Sequence, residues 1–265
     1  MSINRTEALE YNQKLWDKIA PQFIAGTSLP KYGIFIPTEE DLKLIEDLSG
    51  KNALELGCGS GHSLLYLKRK RNAEEIWGID ISHKQIQLAA ELFNREEITA
   101  NLITGSMDED VGLPKLHFDL VLSIYGMGWT PDLLRALSLV YEYLKPGGIF
   151  LFSWEHPVYK CLSYNKEIDG FVFSHTYLEN DPQLSHSMKG IAGLKHIRYP
   201  RPLSEYVNFI IQSGLVVEKL IEPKIDISTV RDIDWNPEKY FSVPRATLIP
   251  ATFIMKAQKP LHENI

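Results

Sequence analysis

The chain has 265 residues, 44% apolar and 23% charged, with a formal net charge of −6. That length allows one large α/β domain or two small ones around a sizeable core, and the acid excess argues against a nucleic-acid partner, which would call for a basic stripe. Two cysteines, Cys58 and Cys161, suggest no disulfide framework; no apolar run approaches a bilayer span and residues 1–10 lack a signal peptide's apolar stretch, so a cytoplasmic protein without a membrane partner is expected.

Residues 6–20 predict a helix with Leu9, Leu15, Trp16 and Ile19 on one face, ended by Pro21. Residues 21–37 read as a loop punctuated by Pro21, Gly26, Pro30, Gly33 and Pro37. Thr38 then caps a second helix with Glu39, Glu40 and Asp41 in its first turn and Leu42, Ile45 and Leu48 on its buried stripe, stopped at Gly50. From Asn52 the rhythm becomes strand, turn, helix, strand. Strands are expected at 53–56, 75–80, 100–104, 118–123 and 149–154, and helices at 62–70, from Ser82, and from Thr130-Pro131 to about Leu144. The basic run Lys68-Arg69-Lys70-Arg71 suits the end of its helix. Pro146-Gly147-Gly148 reads as a turn. Alternation of this kind implies parallel pairing. The nearly all-apolar strands imply a sheet covered on both faces. Residues 155–202 break the rhythm and read as a functional lid or insert without long elements. A helix over 203–213 and strands at 215–221 and 247–256 close the chain.

Chemistry concentrates in Glu55-Leu56-Gly57-Cys58-Gly59-Ser60-Gly61, between a strand and a helix. Glycine serves where the backbone turns sharply or a ligand comes close, and the helix start can face an anionic group. Asp80 ends the next strand nineteen residues after Gly61, where a carboxylate can take both hydroxyls of a ribose. A nicotinamide fingerprint needs its third glycine one residue later, where His62 stands. S-adenosylmethionine carries an ammonium and a sulfonium, for which Glu55 offers a counter-charge.

Residues 53–61 resemble motif I of the class I S-adenosylmethionine-dependent methyltransferases. Trp77-Gly78-Ile79-Asp80-Ile81-Ser82 is similar to the following motif, 118–123 to the strand-four motif, and Leu144-Lys145-Pro146-Gly147-Gly148 to the turn before strand five. Four motifs in order across residues 38–155 imply a doubly wound α/β fold. Its seven-stranded, mostly parallel sheet would end in an antiparallel strand, with an N-terminal lid helix and an insert after strand five. One methyltransferase domain over 1–265 is expected: a lid over 1–37, a cofactor core over 38–155, an acceptor lid over 156–202, and a helix with a strand pair over 203–265. The same resemblance implies that Gly57, Gly59 and Gly61 line the methionine and ribose, that Asp80 binds the ribose diol and that Ile81 packs on adenine. Ser106 and Met107 would meet the adenine, Ser123 the methionine end, and Tyr11, Trp16 and Tyr32 would close over the cofactor.

Ligands of open α/β sheets bind beyond the carboxyl ends of the strands. Tyr125, Met127, Trp129 and Trp154 are therefore the expected pocket for a small-molecule acceptor. Aromatic faces there would favour a sulfonium. Methyl transfer is an in-line displacement accelerated mainly by positioning. If the acceptor must lose a proton, His156 is the first candidate base and Glu155 the second. His175, His186 and His196 lack metal-ligand spacing, so no metal is expected. Two other readings remain: a non-catalytic S-adenosylmethionine-binding regulatory module and a nicotinamide-dependent oxidoreductase. None of these motifs specifies an oligomeric state.

Overall fold

Asn4 starts the first helix by accepting the Glu7 backbone N–H at 2.8 Å, one of the donors that a helix start leaves over. Helix α1 (Arg5–Ile19) then buries Ala8, Asn12, Leu15 and Ile19, one face at helical spacing. The computed structural model describes residues 4–23, 30–178, 181–188 and 191–261; Gly26 of the expected loop lies outside them.

Helix α2 is shorter than expected, covering only Glu39–Leu42. Lys43 enters left-handed backbone at φ 49°. The Glu39 carboxylate then takes the N–H groups of Leu44 and Ile45 at 3.2 and 2.8 Å, so a side-chain acceptor replaces the next helical turn.

The expected alternation follows as β1 (Asn52–Leu56), α3 (His62–Lys70), β2 (Glu75–Asp80), α4 (His83–Arg95), β3 (Asn101–Thr104), β4 (Phe118–Ile124), α5 (Leu133–Tyr143) and β5 (Leu144–Glu155). Two local expectations change. Asp132, not Thr130, caps α5, accepting the Arg135 N–H at 2.9 Å. Residues 144–148 lie inside β5 as a wide bulge rather than before it. Phe118 pairs with Leu144 but Leu120 with Ile149, and Gly147 absorbs the excess at φ +79°.

The insert is not irregular. It holds two antiparallel hairpins, β6 (Leu162–Asn165) with β7 (Gly170–Phe173) and β8 (Gln183–Met188) with β9 (Ile191–Arg198). The four-residue strands β6 and β7 leave too short a window for a two-residue period to register. Then come α6 (Leu203–Gln212), β10 (Val216–Ile221), α7 (Val243–Ala246) and β11 (Thr252–Gln258). The last strand begins later than expected because α7 and a turn occupy 243–251.

The main sheet runs β10-β11-β5-β4-β1-β2-β3. Strands β1 to β5 are parallel, and β11 runs antiparallel to both β5 and β10. Alternate side chains feed opposite layers. Leu54, Leu56, Phe150 and Phe152 pack with α5 and α6, whereas Ala53, Leu120, Leu122 and Leu151 pack with α3 and α4. The sheet is therefore wound on both faces, as the burial of every strand requires. Among the described residues no helix is long and apolar enough to cross a membrane.

Gly61 sits where α3 presses on α4. Its backbone is left-handed at φ +84°, and a Cβ there would stand 2.8 Å from the buried Phe93 ring and 3.2 Å from Ala89. Gly61→Ala is expected to cost about 2–4 kcal/mol through strain and overpacking together. Urea unfolding measures it, and a loss under about 1 kcal/mol would show that the two helices can part.

Candidate functional site

Chain order runs outward from β1 in both directions, to β2 and β3 on one side and to β4 and β5 on the other. The carboxyl ends of β1 and β4 therefore bound a crevice of the kind that takes ligands in open α/β sheets. A cavity of about 320 Å³ lies there. Gly57 and Gly59 reach it from β1, Asp80 and Ile81 from β2, Ser106 and Met107 from β3, and Tyr125 and Trp129 from β4, with Glu55 beneath. All nine were expected at the cofactor or acceptor site, and the fold brings them together.

The loop is shaped by its glycines and by Asp80. Gly57 and Gly59 have φ of +73° and +51°, and the N–H groups of Gly57 and Cys58 donate to the Ile79 carbonyl at 2.8 and 3.0 Å. The Asp80 carboxylate accepts from Gly59 N and Ser82 N, both at 2.9 Å. Burial pushes Asp80 up to about 6, while those two N–H groups hold it down. Gly126 closes the floor: a Cβ there would stand 2.5 Å from Ser123 Oγ.

Glu55 is buried at 3% exposure, and burial pushes its carboxyl up to about 8, with Asp80 adding to the rise and Ser63 opposing it. Its Oε2 has no hydrogen-bond partner. The same holds for Oε1 of Gln85, another lining residue. Two buried acceptors facing one cavity call for a ligand rich in donors, since an unpaired buried polar atom is costly. An ammonium and a ribose are such donors, so the residues present fit S-adenosylmethionine.

Other expected residues fall outside this cavity. Gly61 caps α3 with its back to Phe93. Ser123 lies under the floor, donating to the Leu56 carbonyl at 2.9 Å. Met127 is fully buried in the core. Tyr11 donates to Glu7 at 2.6 Å with Lys195 over its ring. Tyr32 is buried and donates to Glu39 at 2.7 Å, so it props α2 instead of covering the crevice. The lid face is supplied by Leu9, Asn12 and Trp16. Helix α1 is fastened over the crevice at both ends: Arg5 pairs with Asp108 at 2.8 Å and Asp17 accepts from Ser82 Oγ and Lys84 N at 2.6 and 3.0 Å. In the middle, Asn12 exchanges two hydrogen bonds with Ile197 of β9, at 2.9 and 2.8 Å.

Trp154, Glu155 and His156 line a second cavity, of about 470 Å³, with residues of the insert. The seam between the cavities is aromatic. Trp154 meets Tyr125 and Trp129 with ring centroids 5.6 and 6.1 Å apart. Both nitrogens of His156 are engaged: Nε2 faces Glu222 at 2.7 Å and Nδ1 accepts from Val158 N at 3.2 Å. Burial lowers its pKa, against the pull of Glu222. Glu155 accepts a hydrogen bond from the Tyr240 hydroxyl, and burial raises its pKa despite nearby cations.

Sequence reasoning missed Gln85 as a residue of the site. Gln85 reads only as the third residue after a cap, and its position on the first turn of α4, turned to the crevice, was the available signal. Asp108 accepts from Ser106 Oγ at 2.5 Å, from Arg5 at 2.8 Å and from Asp132 N at 3.2 Å. It thereby ties β3 to α1 and α5, leaving Ser106 Oγ as an acceptor toward the crevice.

Comparison with known proteins agrees with this geometry. The family model described as "Methyltransferase domain" matches residues 53–148. An uncharacterized protein of Haemophilus influenzae is 32% identical over 194 residues, covering 69% of this chain and 74% of its own. Demethylmenaquinone methyltransferase of Listeria monocytogenes is 24% identical over 215 residues, covering 76% and 90%. The structure of an S-adenosylmethionine dependent methyltransferase from Mesorhizobium loti superposes with a TM-score of 0.65 at 22% identity, covering 89% of this chain and 99% of that one. With its switch-point crevice, glycine loop and terminal acid, the chain belongs to the class I S-adenosylmethionine-dependent methyltransferases.

Proposed function

We propose that this methyltransferase acts on a small-molecule acceptor, with residues 1–265 working as one domain. In this reading Glu55, Gly57, Gly59, Asp80, Ile81, Ser106, Met107 and Gln85 hold the cofactor, and Tyr125, Trp129 and Trp154 face the acceptor. The observation that carries it is the unpartnered Oε2 of Glu55 beside Asp80 in the switch-point crevice. When bound, S-adenosylmethionine supplies a methyl on a sulfonium, whose C–S electron pair stays on sulfur as the acceptor's lone pair forms the new bond. The chain's residues orient the two partners and exclude water. The relative named demethylmenaquinone methyltransferase supports the small-molecule class.

Of the two candidate bases we favour Glu155. Its carboxylate lines the second cavity and burial raises its pKa, the direction a general base needs, whereas His156 has both ring nitrogens committed. Calorimetric titration with S-adenosylhomocysteine and with NAD, followed by thioether-product release over a panel of small molecules, tests the whole reading. Tight NAD binding without S-adenosylhomocysteine binding would overturn it. On an acceptor found this way, Glu155→Gln is expected to lower kcat by more than about tenfold with cofactor affinity retained. His156→Ala should lower kcat less than about threefold. The reverse ranking would return the base to His156.

A further inference from the structure

Two lids meet at one buried residue. Helix α1 roofs the cofactor crevice with Leu9, Asn12 and Trp16. Hairpin β8–β9 walls the second cavity with Gln183, Leu184, Ser185 and Arg198. Among the described residues, none of β8 or β9 lines the crevice. Asn12, 2% exposed, nevertheless joins the two elements across 185 positions of chain. Its Nδ2 donates to the Ile197 carbonyl at 2.9 Å, and its Oδ1 accepts the Ile197 N–H at 2.8 Å. Ile197 already faces Leu184 of β8 on its other side, so the side-chain amide takes the place of a further strand on the free edge of β9. Ring contacts flank this pair. Lys195 Nζ lies 5.2 Å over the Tyr11 ring. Trp16 meets Trp129 edge-on at 5.3 Å, and Trp129 meets His196 at 5.8 Å. Ile197 is fully buried. Lifting α1 alone would therefore leave a buried N–H and a buried carbonyl unpaired, which is costly. Helix α1 carries β9 with it or stays shut.

We propose that Asn12 is a positioning residue that couples the lid over the cofactor to the wall of the acceptor cavity, so that filling the crevice holds hairpin β8–β9 in place. This rests on the cofactor and acceptor readings above. By linkage, an acceptor seated against β8 then tightens the cofactor by the same factor by which the cofactor tightens the acceptor.

Amide hydrogen exchange, read by mass spectrometry on the full chain with and without saturating S-adenosylhomocysteine, tests the coupling. In the parent, S-adenosylhomocysteine is expected to slow exchange over residues 195–198 about tenfold or more, together with exchange in the glycine loop. In Asn12→Ala the loop should stay protected, which reports a folded and loaded protein, while the slowing over 195–198 falls below about threefold. A merely structural Asn12 would change exchange equally in the free and the loaded variant and leave that ratio intact. Release of S-adenosylhomocysteine, followed by the fluorescence of Trp16 and Trp129 at the crevice, should be about tenfold faster from the variant. If alanine prevents folding, Asn12→Asp keeps the acceptor for the Ile197 N–H and removes the donor, and it is expected to cut the slowing about threefold. No slowing over 195–198 in a parent whose loop is protected, slowing as large in the variant as in the parent, or an unchanged release rate would overturn the inference. An unprotected loop in the parent would instead sink the cofactor reading on which it stands.

Discussion

Replacing Asp80 by alanine is expected to weaken S-adenosylhomocysteine binding about a hundredfold. Two effects add. The proposed hydrogen bonds to the ribose hydroxyls are lost, and these involve an ionised acceptor, the stronger kind. The loop also loses its anchor, because Asp80 holds the Gly59 N–H and the Ser82 N–H at once. Those groups would be left facing an empty crevice, at roughly 1–3 kcal/mol of stability. Asp80→Asn keeps the shape and one acceptor oxygen, so it should fall between the parent and alanine. Calorimetric titration of the three proteins measures the series. Affinity within about threefold of the parent for the alanine variant would remove Asp80 from the cofactor site.

The second large effect concerns protons. The Glu55 carboxyl is raised from 4.5 to about 8 by burial. A group whose folded-state value lies above its unfolded value binds its proton more tightly when folded. Its contribution to stability is therefore present below pH 4.5 and lost as pH rises through 8. An ammonium placed beside it favours the carboxylate. Cofactor binding between those values should then expel a proton from Glu55. Affinity should rise with pH by as much as about tenfold per unit up to the point where the cofactor's own amino group loses its proton, and fall again above about 8.

The cofactor's own α-amino group titrates near 7.7–8.0 and takes up a proton where it binds as an ammonium. The comparison with Glu55→Gln isolates the carboxyl. At pH 7, binding enthalpies measured in two buffers of different ionisation enthalpy should differ by close to one more proton released for the parent than for the variant. Asp80, raised to about 6, titrates inside the same range, but it is mostly ionised at pH 7 and is common to both proteins, so the comparison between them still isolates Glu55. An equal buffer dependence in both proteins would show that Glu55 stays protonated in the complex. It would then act as a neutral hydrogen-bonding group. In that case Glu55→Gln should also keep nearly full affinity, a second and independent readout.

Much of the crevice was legible in the chain because its parts are local. A strand, three glycines and a helix start lie within a few residues, so backbone conformation and spacing are written in adjacent letters. The acid at Asp80 stands at the end of the neighbouring strand, and parallel pairing of Leu56 with Ile79 brings it beside Gly59. The lid and acceptor sides were less legible. Tyr11 and Tyr32 carry the right chemistry, yet their orientation follows from Glu7 and Glu39, neighbours whose claim on the phenols depends on where the chain turns. Gln85 and Asp108 look like capping and turn residues until the fold sets them against the crevice and against Arg5.

By itself, the order of the residues determined the alternating strands and helices, the doubly wound sheet and the cofactor loop, since apolar periodicity and glycine geometry act over short stretches. Tertiary structure alone decided that residues 155–202 form hairpins and that α1 is pinned to β9 through Asn12. It also decided that His156 is committed to Glu222, 66 positions away, and that Arg198 and Arg245 come to act on Glu155. These are contacts between segments far apart in the chain, and what a side chain does there depends on which partner the packing delivers, not on its neighbours in sequence.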